Sequence, residues 1–274
     1  MSCSCGHDHH GGHHHHHHGA MPSGAVPVTL NGPLVAMEGR LICADATQMM
    51  VALSLLPDHV GLSRAEAGCL RFDLWQDDDP LIWHLSELFA SEEAFAAHQA
   101  RTKTSEWGSG SGDIRRDFQR SHVEPWLRSE AGADAGALDG LLAAAFGGDA
   151  EARLVQALRA DGDLTQSVVA EAAGCLLGHV ALSPLTADRG AFALAPVAVH
   201  PAVQGRGLGK ALVEQALDRA GDAPVVVLGD PGYYARFGFR PADLASPYAG
   251  PHLQIRGDLP AGSVIAHARA FAAL

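Results

Sequence analysis

Apolar and polar residues alternate twice in close succession. Leu70, Phe72 and Leu74 interleave with Arg71, Asp73 and Trp75, and then Leu81, Trp83, Leu85, Glu87 and Phe89 mark every second position. A period of two reads as a half-buried strand. Asp77, Asp78, Asp79 and Pro80 between the runs supply a turn, so the pair predicts a hairpin. Upstream, residues 34–43 predict a strand. Residues 49–62 carry helical spacing, with Pro57 expected to kink or break it. Downstream, Ser91 is the expected N-cap of a helix whose first turn holds Glu92 and Glu93, where the helix dipole favours carboxylates. Residues 107–112 read as flexible Gly/Ser sequence, followed by a short last strand. Strand, helix, strand, strand, helix, strand is the order of a ferredoxin-like α+β unit, predicted over residues 33–120.

From about Val123 the pattern changes. Residues 126–128 predict a short strand. Residues 133–146 and 150–160 are Ala/Leu-rich helices separated by Gly147 and Gly148. Strands are expected at 167–171 and 175–183, then at 192–200, and a helix at 208–220. Residues 225–228 form an apolar β-branched run that suits a buried central strand. Residues 263–268 are the expected closing strand. This second unit, residues 123–274, is predicted to be a mixed sheet with helices, so the whole chain reads as α+β.

The strongest chemical signal lies between the strand at 192–200 and the helix at 208–220. Gln204, Gly205, Arg206, Gly207, Leu208, Gly209 and Lys210 form a glycine turn at a helix start. Such a turn offers a row of unsatisfied backbone N–H groups at the positive end of the helix dipole, and that combination binds phosphate. An ordinary Gly-rich turn is the alternative. The run does not match a dinucleotide fingerprint, because Lys210 stands at the third glycine position. Nor does it match a phosphate loop ending in Gly-Lys-Ser/Thr, because Ala211 follows Lys210. Gln204-x-x-Gly207-x-Gly209 does resemble the acetyl-CoA loop of the GNAT N-acetyltransferase superfamily, Gln/Arg-x-x-Gly-x-Gly/Ala.

Two further segments strengthen that resemblance. Pro196 interrupts the strand before the loop, and residues 233–239 read Tyr-Tyr-Ala-Arg-Phe-Gly-Phe. The usual Ile-Arg opening is only approximated by Leu127-Arg128-Ser129-Glu130. The resemblance covers about residues 123–245 and implies a GNAT acyltransferase fold with acetyl-CoA as cofactor. It implies pantetheine binding along the backbone of Val197, Ala198 and Val199, and pyrophosphate binding over residues 204–210. Tyr234, four residues before Gly238, takes the place of the family's general acid, with Tyr233 as its alternative. Val197 or Val199 is the candidate N–H donor to an oxyanion. The general base is not legible; His179, His200 or a water relay would serve. The acceptor is an amine on a small molecule or peptide. Asp161, Asp163, Asp243 and Asp258 lie in the variable segments and either attract a cationic amine or belong to a solvated acidic surface.

The first unit resembles the antibiotic biosynthesis monooxygenase (ABM) domain. The residues that carry this are Glu66-Ala67-Gly68-Cys69-Leu70 and the Ala94-Phe95-Ala96-Ala97-His98 run. That resemblance implies a ferredoxin-like fold of the dimeric α/β-barrel type, pairing of two protomers through their sheets, and in some members cofactor-independent oxygenation of quinols or polyphenols. Trp83, His84 and His98 either line a pocket or serve as core and surface groups.

Composition narrows the classes. The 274 residues carry a net charge of −12, which argues against general nucleic-acid binding. No apolar run is long enough to span a membrane, no signal pattern opens the chain, and five cysteines make a disulfide framework a poor expectation. A cytoplasmic location follows as the expectation, with no metal site in the two units. The first twenty-two residues are set apart: nine of the 17 histidines fall in residues 7–18, with Cys3 and Cys5 before them. This tract is either an affinity tag or a natural metal-binding tail, expected to be disordered in both cases. Two other functions stay open: an oxygenase with a GNAT-like binding domain, and a metal-handling or sensing protein.

Overall fold

The computed structural model describes residues 21–273. The expectations for the His/Cys-rich tract in residues 1–20 lie outside them. Val26–Pro27 forms a short strand (β1). Leu34–Ile42 (β2) and Ala46–Arg64 (α1) follow, then the hairpin Cys69–Gln76 (β3) and Ile82–Phe89 (β4). Glu92–Thr104 (α2) and Glu106–Gly110 (α3) lead into Arg115–Val123 (β5). These strands make a four-stranded antiparallel sheet in the order β3-β4-β2-β5, and β1 leaves them to join the larger sheet.

Two expectations here are corrected. Pro57 neither breaks nor splits α1, which runs unbroken from Ala46 to Arg64. The proline ring lies on the exposed face, while Ala52, Leu56, His59 and Ser63 form the buried stripe that keeps the helix against the sheet. Residues 107–112 are not a flexible linker throughout. Ser105 caps a short helix by accepting from the Gly108 amide at 3.1 Å, and Trp107 is buried with Leu41, Leu56 and Ile114. One large aromatic side chain offsets the low helix propensity of its glycines.

The second unit opens with Trp126–Ser129 (β6), followed by Ala135–Phe146 (α4) and Ala150–Asp161 (α5). Gln166–Ala172 (β7), Cys175–Thr186 (β8) and Ala191–Val199 (β9) form an antiparallel meander. Leu208–Ala220 (α6) and Val225–Leu228 (β10) come next, then Pro231–Tyr234 (α7) and Arg240–Pro241 (β11). Leu253–Arg256 (β12) and Ala266–His267 (β13) complete the chain's strands among the described residues. The nine-stranded sheet runs β1-β6-β7-β8-β9-β10-β12-β11, with β13 paired to β8. The neighbour of β10 is β12, and of the closing strand expected at residues 263–268 only Ala266–His267 forms, paired to β8.

The helices α4 and α5 cover one face through Leu138, Leu142 and Val155. The other face carries α6, whose Leu208, Leu212, Val213, Ala216 and Leu217 are buried at helical spacing. Leu34, Ala36, Leu70, Leu88 and Ala90 of the four-stranded sheet pack into that same core. The two sheets thus share one apolar core.

Candidate active site

The site opens where two strands part. β9 and β10 are parallel neighbours only at Phe192↔Val225 and Ala193↔Val226; beyond Ala193 the pairing ends and β10 continues against β12. β8 flanks the other edge of β9, with a register shift between Val180 and Leu182. The edge of β9 from Leu194 to Val199 therefore faces a gap, and backbone polar groups on such an edge can take an added strand-like ligand.

A cleft of about 350 Å³ occupies the gap. Val197, Val199, Gln204, Gly205, Gly207 and Gly209 line one side. Lys210, Tyr233, Tyr234 and Arg236 line the rest. Gly207 is the N-cap of α6, with φ of 97° and no capping side chain, so the first amides of that helix retain their donors. Gly205 and Gly207 both have positive φ, and a Cβ built on either would meet nothing within 4 Å. The backbone conformation is what requires glycine here, and the space above it is open. Gly209 is different: a Cβ there would lie 3.0 Å from the Tyr233 hydroxyl. The bare helix start and open cradle fit a pyrophosphate.

Three of the residues expected in this site turn their side chains elsewhere. Ala198 alternates away from Val197 and Val199 and is buried under α4. Leu208 is in the core beneath α6. The Arg206 guanidinium binds backbone carbonyls of the N-terminal unit. For these three only the backbone remains available to a ligand.

On the opposite wall, Asp230 caps α7 by accepting from the Gly232 amide at 3.0 Å. That turn presents Tyr233 and Tyr234 in edge contact, ring centroids 5.0 Å apart. Tyr234 also packs on Phe239 at 5.6 Å. Burial pushes its phenol up to about 12, and Tyr233 adds to the effect. Tyr234 therefore stays protonated and can act as a proton donor. Gly229 makes room for it, since a Cβ there would fall 2.3 Å from the Tyr234 ring. Arg236 was not singled out from sequence. It lines the cleft with its guanidinium 4.9 Å over Tyr233, and the Tyr-Tyr-x-Arg spacing was the available signal.

Among the described residues, no carboxylate or imidazole lines this cleft. His179 is fully buried, bonded to Ser167 Oγ at 2.8 Å, and burial lowers it to about 3. The His200 ring accepts from the Ala202 amide at 3.3 Å, and burial lowers its pKa. Asp161 and Asp258 pair with Arg269 and Arg240 at the surface.

A second cavity of about 130 Å³ lies between α1, α2 and the four-stranded sheet. Phe72, Trp107, His59, Glu87, His98 and Arg116 are among its walls. Burial raises Glu87 to about 8 and lowers His59 to about 3. His98 does line this cavity and bonds Glu66 at 3.0 Å. His84 is on the other sheet face, stacked on Trp75 and bonded to Asp77 at 2.5 Å, and Trp83 packs in the helix-side core. His59 and Glu87 were missed because neither sits in a recognisable motif. Among the described residues no group of three or more His, Cys, Asp or Glu could hold a metal ion. No helix among them is long and apolar enough to cross a membrane.

A splayed parallel strand pair, with a bare helix start on one wall and protonated phenols on the other, defines a site for transfer from a phosphate-bearing carrier. Comparisons with known proteins agree. The acetyltransferase (GNAT) family model matches residues 113–239, and the antibiotic biosynthesis monooxygenase model matches residues 51–108. The uncharacterized N-acetyltransferase YhbS of Escherichia coli (strain K12) is 44% identical over 120 residues, covering 41% of this chain and 72% of YhbS. The crystal structure of E. coli YhbS in complex with CoA matches with a TM-score of 0.50 and 36% identity, over 53% of this chain and 91% of that one. A GNAT family acetyltransferase from Brucella melitensis, in complex with acetyl-CoA, matches at 37% identity and a TM-score of 0.48, over 54% of this chain and 97% of that one. The chain belongs to the GNAT acetyltransferase family and also carries an ABM domain.

Proposed function

We propose that the cleft between β9 and β10 takes acetyl-CoA, and that the chain moves the acetyl group to an amine on a small molecule or peptide. The observation that carries this reading is the pairing of an uncapped α6 start, with Gly205 and Gly207 in positive φ, and a protonated Tyr234 across the same cleft. The CoA bound by the YhbS crystal structure supports it. The carrier supplies a thioester, an activated acyl group whose leaving atom is a sulfur. The residues that would hold it are the backbone of 197–199 for the pantetheine arm and the amides of 204–210 for the phosphates, with Lys210 at the rim. Tyr234 donates its hydroxyl proton to the departing thiolate. A Val197 or Val199 amide stabilises the oxyanion. With no carboxylate or imidazole of the described residues lining the cleft, the amine arrives neutral or loses its proton to water.

The test is calorimetric titration of acetyl-CoA into the full chain and its Gly207→Asp variant. Micromolar affinity that is lost in the variant is the expected result, through charge repulsion and loss of backbone approach. Equal affinity in both would sink the assignment.

A second reading concerns the N-terminal cavity. Its aromatic walls and protonated Glu87 favour a phenolic ligand, in keeping with a quinol or polyphenol oxygenase. Oxygen uptake across a quinol panel tests it, and silence across that panel leaves the unit as a scaffold. We also propose functional units at residues 33–120 and 123–274, and a homodimer through the sheet face around Trp75, which is 39% exposed. Sedimentation of the wild type and Trp75→Glu decides the dimer. A cytoplasmic location is proposed from the thiols of Cys43 and Cys69.

A further inference from the structure

We infer that Arg206 is a positioning residue through which the N-terminal part of the chain holds the acetyl-CoA loop in its binding shape. The inference rests on the cofactor reading above. Arg206 sits between Gly205 and Gly207, both in positive φ. A loop with two such glycines has little stiffness of its own. It needs an external constraint if its amides are to wait in the geometry a phosphate requires.

Arg206 supplies that constraint with its backbone carbonyl and its head group. The guanidinium donates to four carbonyl oxygens: Asn31 at 3.1 Å, Pro33 at 3.3 Å, and Gly32 and Ala90 at close range. In return the Asn31 amide donates to the Arg206 carbonyl at 3.1 Å. A planar fork of five donors can reach four carbonyls spread around its plane, whereas a lysine brings three donors clustered on one nitrogen.

The anchor points are themselves fixed. The Ala90 amide donates to the Gly68 carbonyl at 2.8 Å, and Ala90 directly precedes the Ser91 cap of α2. The Leu30 amide is held by Glu124 at 3.0 Å. Gly32 has a φ of +88°, so the segment that presents its carbonyl depends on glycine. None of these groups lines the cleft. Their effect on the cofactor would pass through the loop alone, as preorganisation.

The experiment uses the full chain, with acetyl-CoA as the probe in calorimetry and steady-state kinetics. Arg206→Met removes the fork, Arg206→Lys keeps the charge without it, and Gly32→Val disturbs the anchor from the partner side, its new Cβ lying 3.5 Å from the Arg206 guanidinium. Arg206→Met and Gly32→Val are each expected to raise the acetyl-CoA Kd and KM about tenfold with kcat within about twofold. The double variant should be no weaker than the worse single, because both break one linkage. Arg206→Lys should fall between, and it carries the test if Arg206→Met fails to fold. Acetyl-CoA should slow hydrogen exchange at the Asn31 amide in the wild type, since coupling between sites is reciprocal.

A loss confined to the Arg206 variants, fully rescued by lysine and steeply salt-dependent, would mean a direct phosphate contact and overturn the inference. Variants that bind as the wild type does would also overturn it. A wild type that does not bind acetyl-CoA overturns the cofactor reading as well, so the two failures are distinct.

Discussion

At the scale of single residues, Tyr234 and Glu87 illustrate how burial sets function and stability. Removing the Tyr234 hydroxyl deletes a proton donor while leaving the ring that packs on Phe239. Tyr234→Phe should lower kcat by about a hundredfold and leave the acetyl-CoA KM within about twofold, as steady-state kinetics would read. Glu87 carries a stability signature. Its folded pKa, raised by burial to about 8, lies above its ordinary value of 4.5. Its stabilising effect is therefore complete below 4.5 and is lost as pH rises through about 8. His59 has the opposite sign: lowered from 6.5 to about 3, it stabilises above 6.5 and loses that effect as pH falls toward 3. Urea midpoints of the wild type should decline from about pH 7, above the window in which His59 titrates, to about pH 9, and Glu87→Gln should flatten that decline. A variant with the same slope as the wild type would assign the decline to other groups. The glycine loop and Tyr234 were legible in the sequence because their chemistry forces a local spacing. The direction of the Arg206 side chain was not, because its partners lie between 116 and 175 residues away. Its neighbours in sequence say nothing of a docking that only the folded chain creates.

At the scale of elements, most strands and helices follow from period and capping, and the failures have physical causes. Pro57 survives inside α1 because it faces solvent while four buried residues hold the opposite stripe. β12 escaped sequence reading because Leu253–Arg256 alternates Gln and Arg with apolar residues over only four positions. Its Gln254 is nevertheless 1% exposed. The Gln254 side chain donates to the Gly229 carbonyl at 3.0 Å and so steadies the turn that carries Tyr234. That turn has one more requirement, the missing side chain at Gly229. In Gly229→Ala the new methyl must displace the Tyr234 ring, because 2.3 Å is far inside contact distance. Turnover should fall by about tenfold or more while acetyl-CoA affinity holds, since the phosphate loop lies on the other wall. Parallel loss of affinity and turnover would mean that the two walls move together.

At the scale of the whole molecule, the resemblances to two families suggest two modules, but the packing joins them. Leu34, Leu70 and Leu88 of the small sheet share a core with Val168, Ala170 and Leu212 of the large one. Arg71 extends the joint with a polar contact, binding the Ala173 carbonyl across it while donating at 2.7 Å to the Ser86 hydroxyl of its own sheet. β1 adds a covalent loop back: the first described strand lies on the large sheet beside β6 before the chain enters the small one. An isolated C-terminal fragment would lose β1 and expose the apolar surface that Leu34 and Leu88 cover. Shared burial predicts shared unfolding. Calorimetry should give one cooperative transition, and Leu88→Ala, which empties a site with 0% exposure, should lower its midpoint by about 5–15 °C without splitting it. Two resolved transitions in the wild type would contradict the shared core, and a split only in the variant would locate the joint at β4. If the transition is single, cofactor bound at the α6 loop must stabilise the small sheet as well, because a ligand that binds the native state raises the stability of everything that unfolds with it.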